Sequence, residues 1–246
     1  MPIARDATNL PHVHNPYTLI SGDAAVLLTC EHASERLPAP LRWPKADRRL
    51  LGTHWAFDLG ARELTEELAA ALGCGAVLAE FSRLVIDPNR ALDEPTLIRT
   101  RAEGAPIQLN EALPENARRE RIERLYEPYH DAVDRAVRAS GAPTLLSVHS
   151  FTPVYEGSVR PMEVGVLFDQ HEQEAQTLGD ALSRAGFAVA YNAPYSGREG
   201  LIYSVERHAR THGRVALELE VRQDRSVDPA FRQRLVSALA RFFACC

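Results

Sequence analysis

The sequence predicts a three-layer α/β/α domain around a mostly parallel, mixed sheet. Six short apolar runs of strand character recur along the 246 residues, helical patterns separate several of them, and no Gly/Ser-rich linker or internal repeat divides the chain. The expectation is therefore one domain over 1–246, with an N-terminal arm at 1–20. The expected strands are "AAVLLTC" (24–30), "GAVLAEF" (75–81), "PTLLSVHS" (143–150), "EVGVLFD" (163–169), "FAVAYN" (187–192) and "RVALELEV" (214–221).

The helices are justified by period and punctuation. "LGARELTEELAAALG" (59–73) sets Leu64, Leu68 and Leu72 four apart and stops at a glycine. "RIERLYEPYHDAVDRAVRASG" (121–141) carries one apolar stripe, which Pro128 should kink or restart as a second helix. "EQEAQTLGDALSRAG" and "DPAFRQRLVSALARFF" complete the set, the latter opening on Asp228 as cap and Pro229 in the first turn. Residues 91–120 are polar, rich in proline and weakly periodic, so they read as a lid or an insertion.

Composition removes several function classes. A formal charge of −5 with no basic run argues against a nucleic-acid partner. The apolar runs are too short for a bilayer, and "MPIARDATNLPHVHNPY" lacks the apolar core of a secretory signal, so the expected compartment is the cytoplasm. Four cysteines without framework spacing fit reduced thiols. Cys30 as a nucleophile beside His32 is the thiol alternative; a small buried side chain in a strand is the plainer reading.

Ligands of open α/β sheets collect beyond the carboxyl ends of the strands. There the chain places His32 and Glu35 after the first run, Arg83, Asp87, Asn89 and Arg90 after the second, and His149 at the end of the third. In "RVALELEV" alternation puts Val215, Leu217, Leu219 and Val221 on one face and Glu218, Glu220 and Arg222 on the other. Two histidines and one carboxylate make a three-ligand set for one catalytic zinc ion, with the fourth position open. On this reading the H-x-x-E spacing brings His32 and Glu35 to one turn and His149 is the distant third ligand. Alternatively, Ser34 or Glu35 merely caps a short helical turn. His54, His130, His171, His208 and His212 are assigned packing or surface roles. In "NAPYSGREG" (192–200), Tyr195 and Arg198 are candidates to reach an acidic side chain, with a plain surface turn as the alternative.

Taken together, "CEHASERLP", "HWAFDLGARELTEELA", "FSRLVIDPNR", "SVHSF", "NAPYSG" and "LELEVRQD" resemble the N-formylglutamate amidohydrolase family, related to aspartoacylase and zinc carboxypeptidases. The resemblance spans roughly 20–225. It implies a carboxypeptidase-like fold with zinc on His32, Glu35 and His149 and Glu220 as general base and acid. Glu218 shares its strand face, so the choice between the two stays open. Arg83 would hold the oxyanion, and Asn89 with Arg90 would grip a substrate carboxylate; a salt-bridged turn with Asp87 and Asp93 is the alternative. Asp58 would orient a ligand, bind substrate or cap a helix. The implied reaction is cleavage of N-formyl-L-glutamate, or a similar small carboxylate-bearing N-acyl compound. The alternatives are a carboxypeptidase or deacylase acting on a peptide or cell-wall fragment, and a non-catalytic protein that binds an acidic metabolite. Oligomeric state is left open.

Overall fold

The computed structural model describes residues 15–244. Strands β1 (Tyr17–Ile20), β2 (Val26–Cys30) and β3 (Ala76–Ala79) lie on one side of the sheet. A small hairpin of β4 (Arg101–Ala102) and β5 (Ala105–Pro106) follows, then the central β6 (Thr144–Phe151). A second hairpin, β7 (Val154–Tyr155) and β8 (Ser158–Val159), precedes β9 (Val164–Leu167), β10 (Val189–Tyr191) and β11 (Val215–Arg222). The main sheet has seven strands in the order β1-β3-β2-β6-β11-β9-β10. β3, β2, β6 and β11 run parallel, whereas β1 pairs antiparallel with β3 and β9 antiparallel with β11. The sheet is therefore mixed and mostly parallel, as expected.

Alternation along the strands sorts the core into two layers. Val26, Leu28, Leu146, Val148, Leu217 and Leu219 pack with α1 (Ala61–Leu72), α4 (Glu172–Arg184) and α7 (Pro229–Phe243). Leu27, Val77, Leu145 and Ala216 face the other way, against α3 (Glu127–Ala139) and α5 (Tyr203–His212). Helix α1 ends where expected, on Gly73 at φ 65°. The expected start of α7 also holds: the Asp228 side chain accepts from the Ala230 N–H, and Pro229 opens the helix.

The structure refines the sequence reading in three places, and the expected restart of a helix at Pro128 holds, with Pro128 in the first turn of α3. The expected helix over 121–141 is α2 (Glu115–Arg121), a π turn over Ile122–Tyr126, and α3; the extra residue in the π turn accommodates Pro128, which has no N–H to give and would crowd a regular turn before it. The end of the expected arm, Tyr17–Ile20, is an edge strand, while residues 1–14, including His12 and His14, lie outside the described residues. Helix α5 escaped sequence reading because Arg207, His208, Arg210 and His212 dilute its apolar stripe. Segment 91–120 is tied to the body: Asp47 accepts from the N–H groups of Gln108 (3.0 Å) and Leu109 (2.7 Å), and Asn110 Oδ1 accepts from Arg121 (2.6 Å). No described helix is long and apolar enough to cross a membrane.

His130 and His208 are buried packing residues between α3 and α5, with 2.9 Å between His130 Nδ1 and His208 Nε2. Burial, then the charge of Arg207, depresses His208 from 6.5 to about 4. An unfolded chain takes up this proton below pH 6.5 while the folded one resists it down to about pH 4. Stability is therefore lost as pH falls through that window, by ~3 kcal/mol for His208. In urea unfolding, the stability of His208→Gln relative to wild type should rise as pH drops from about 7 to about 4.5. A pH-independent difference would contradict this assignment.

Candidate active site

The strand alternation that sorts the core also assembles the site. Glu31 follows β2, Ser147 and His149 lie on β6, and Glu218 and Glu220 lie on β11, with Glu218 paired to Ser147 and Glu220 to His149 across the parallel ladder. All of these side chains are buried. His32 enters from the turn after β2, and Asp58 from the loop before α1.

His32, Asp58 and His149 converge. Asp58 Oδ2 is 2.8 Å from His149 Nδ1 and 3.4 Å from His32 Nδ1, and one ligand atom from each residue lies within 4.8 Å of the others. Local backbone holds this carboxylate in place: the Asp58 N–H donates to the His32 carbonyl (2.9 Å), and the Ser150 N–H donates to Asp58 Oδ2 (3.2 Å). Gly60 sits at φ 77° where a Cβ would come within 2.4 Å of the Ser226 carbonyl, so the Asp58 loop closes against the short helix α6 (Gln223–Ser226).

The other ring nitrogens are already engaged. His32 Nε2 lies 2.7 Å from Asp87 Oδ1, and His149 Nε2 lies 3.0 Å from Glu31 Oε2. Glu31 is itself held by the hydroxyls of Tyr129 (3.0 Å) and Ser147 (2.5 Å). Burial pushes the Glu31 carboxyl up, but His149 and Ser147 outweigh it and hold the group well below the usual range. With a cation between them, each imidazole would donate its Nε2 proton to a carboxylate and turn its Nδ1 lone pair toward Asp58, the arrangement by which outer carboxylates orient metal-binding histidines. Three electron-rich atoms facing one another need a positive charge between them. Burial opposes protonation of His149, yet Glu218, Asp58 and Glu31 raise its pKa well above 6.5. The field that draws a proton there would equally draw a cation, so the donor set fits a divalent metal. Glu31→Gln should then weaken metal binding by about 10–100-fold in a chelator competition, and unchanged affinity would deny Glu31 its orienting role.

Glu35 does not join this group. Residues 33–38 leave the turn without regular structure, so positions three apart do not fall on one helical face, and the Glu35 carboxylate instead accepts from the Gly52 N–H at 2.6 Å. Asp58 occupies the carboxylate position expected of Glu35. Ser34 Oγ accepts from the Arg36 N–H, a local turn contact rather than a helix cap.

The group opens into a cleft of about 470 Å³. Arg83, Arg90, Tyr195, Glu218 and Glu220 line it as expected, and Trp55, Arg99 and Arg160 line it without having been anticipated. Arg83 reaches Asp87 Oδ2 (3.0 Å) and Asp58 Oδ1 (3.4 Å), so the salt bridge weighed as its alternative coexists with a place on the cleft wall. Arg90 donates to the Asn89 carbonyl (2.9 Å), and its own carbonyl is fixed by the hydroxyl of Tyr126 from the π turn (2.9 Å).

Two expected substrate contacts are revised. Asn89 lines the cleft, but its Oδ1 accepts from the Ser204 N–H (2.9 Å) and its Nδ2 donates to the Leu201 carbonyl (3.3 Å) and Glu218 (3.4 Å), so its polar atoms are spent on the scaffold. Arg198 pairs with Glu172 of α4 at 2.7 Å and stacks over Phe168, outside the cleft lining. The adjacent Tyr195 does face the cleft, so only part of the 192–200 loop serves the site.

Glu218 and Glu220 differ in environment. Glu218 accepts from Asn89 and lies 3.6 Å from His149 Nε2, on the ring edge opposite Nδ1; burial raises its pKa to about 7. Glu220 is buried with Oε2 lacking a hydrogen-bond partner among the described residues, and burial, joined by the charge of Glu218, raises its pKa well above the usual range. The thiol alternative fares poorly, because burial pushes Cys30 up to about 12 and leaves little thiolate at neutral pH.

Residues 24–226 match the family model described as N-formylglutamate amidohydrolase. Among solved structures, the chain is similar to the gene product Atu2144 from Agrobacterium tumefaciens, with a TM-score of 0.84, 28% identity and 94% of each chain covered. It is also similar to an N-formylglutamate amidohydrolase from Ralstonia eutropha JMP134, with a TM-score of 0.65 and 21% identity over 94% of this chain and 99% of that one. Comparison with curated proteins gave no match.

Proposed function

The chain belongs to the N-formylglutamate amidohydrolase family and is a hydrolase of amide bonds; within that family we propose that it is zinc-dependent and acts on a small N-acyl amino acid bearing a carboxylate, first of all N-formyl-L-glutamate. The observation that carries this reading is the Oε2 of buried Glu220, without a hydrogen-bond partner among the described residues, on the wall of the cleft that also holds the His32, Asp58 and His149 group.

In this mechanism His32, His149 and Asp58 would hold one ion. When bound, zinc supplies a charge that polarises the acyl carbonyl and brings the pKa of water to about 7. Glu220 takes a proton from the attacking water and returns it to the amide nitrogen as the C–N bond breaks, giving formate and L-glutamate from formylglutamate. Burial and the charge of Glu218 raise the pKa of Glu220 above the ordinary carboxylate range, which makes it a stronger base than a solvent-exposed carboxylate. Glu218 is the less suitable base because it is bonded to Asn89 and sits beside the Nε2 edge of His149. Arg83 offers its charge to the oxygen that becomes negative, while Arg90 pairs with the substrate carboxylate. No nucleic acid takes part, and the free, buried Cys30 and Cys74 fit the cytoplasm.

A panel of N-formyl amino acids, N-acetyl amino acids and short peptides, followed by release of free amine, tests the reading. N-formyl-L-glutamate should exceed any peptide in kcat/KM by at least about tenfold. Preference for peptides would transfer the assignment to a peptidase or deacylase, and stoichiometric binding without turnover would transfer it to a binding protein.

A further inference from the structure

The cleft wall carries four arginines and three carboxylates, Asp58, Glu218 and Glu220, and most of the arginines are not paired with any of them. Besides Arg83, which is paired with Asp58 and Asp87, the wall carries Arg90, Arg99 and Arg160, and none of these three has a carboxylate partner among the described residues. All three are half-buried, and burial followed by the charges of Arg83 and Arg90 lowers the proton affinity of Arg99. Holding like charges together in a partly desolvated cleft is unfavourable unless an anion enters.

Arg160 is the most firmly placed of them. Its Nη1 donates to the Thr152 carbonyl (3.3 Å), Thr152 Oγ1 (3.1 Å) and the Tyr195 hydroxyl (3.5 Å). The guanidinium carbon lies 4.9 Å from the ring centre of Tyr155, 5.2 Å from that of Tyr195 and 5.8 Å from that of Phe151. Aromatic stacking fixes the plane of the fork, and no described hydrogen bond uses its Nη2 or Nε. Arg99 stands 5.6 Å over the Trp55 ring, so a second guanidinium on this wall is also braced by an aromatic face.

We propose that Arg160, aided by Arg99, is the specificity-determining residue of this cleft: its stacked guanidinium holds the side-chain carboxylate of the substrate, apart from the carboxylate that pairs with Arg90. This rests on the amide-hydrolase reading of the same cleft, with Arg90 serving the other carboxylate. A planar fork with two free donors suits a carboxylate, whereas a neutral carboxamide in its place would set an N–H group against the cation.

The test compares wild type, Arg160→Gln and Arg160→Lys, each checked for folding by thermal melt and for metal content. Turnover is measured on N-formyl-L-glutamate and N-formyl-L-glutamine, and binding of L-glutamate and L-glutamine is measured separately by calorimetry. Wild type should favour the glutamate compounds on the order of 10²-fold in kcat/KM and at least about tenfold in binding. Arg160→Gln should bring both ratios close to unity, chiefly through KM, and Arg160→Lys should restore them in part. An undiminished ratio in folded Arg160→Gln, or no preference in wild type, would overturn the subsite. If wild type hydrolyses neither compound yet shows the Arg160-dependent binding preference, the subsite stands and the proposed reaction falls. Turnover without preference would leave the reaction and remove the subsite, and neither turnover nor preference would remove both.

Discussion

Glu220→Gln should lower kcat by about 10²–10⁴-fold while the protein keeps its fold, its metal and nearly its wild-type KM. The amide is close in shape to the carboxyl it replaces but cannot accept the proton of water. Its buried setting tolerates the change, because Oε2 of Glu220 already lacks a hydrogen-bond partner among the described residues. Glu218→Gln should cost far less: Glu218, with its pKa raised to about 7, serves as a hydrogen-bond acceptor for Asn89, and an amide oxygen can do the same. The pH profile supplies a second readout. Since burial and Glu218 raise the pKa of Glu220, the acid limb of kcat/KM should lie above the ordinary carboxylate range, with activity falling as pH drops through it. An equal loss in both glutamine variants, or full activity in Glu220→Gln, would remove Glu220 from its assigned role.

The second large effect separates Asp58 from Glu35. Asp58→Ala removes the carboxylate on which the two Nδ1 atoms converge and should reduce metal affinity beyond the ~10–100-fold expected for loss of an outer contact, with activity lost in parallel. Glu35→Ala removes a hydrogen bond to the Gly52 N–H at the margin of the site and should leave metal content near wild type. Elemental analysis of the two purified variants distinguishes them directly. Metal lost from Glu35→Ala and retained in Asp58→Ala would restore the H-x-x-E reading and reject the geometry described above.

Much of this site was legible before the structure because strands encode direction. A residue at the carboxyl end of a buried strand has few places to point, so His149 and the Glu218/Glu220 pair followed from position and alternation. Arg83 and Arg90 followed in the same way from the segment after β3. Glu35 falls outside the His32, Asp58 and His149 group because the chain after His32 is irregular, and spacing implies a shared face only once the backbone conformation is known. Asp58 was noticed but not recognised as a ligand candidate, because it reaches the histidines from a loop 26 positions after His32. A usable signal lay in Glu31: an acidic residue directly after a buried strand needs buried partners, and Tyr129, Ser147 and His149 provide them. Arg160 left no such trace. It follows a short exposed hairpin with no periodic pattern, and only the folded chain brings Phe151, Tyr155 and Tyr195 around it.

If amide hydrolysis depends on one metal ion held by His32, Asp58 and His149, the most direct measurement is hydrolysis of N-formyl-L-glutamate by protein stripped with a chelator and then titrated with zinc. Stripped protein should show negligible turnover, and activity should rise linearly to a plateau at one equivalent. Undiminished turnover by protein shown by elemental analysis to be metal-free would contradict that dependence.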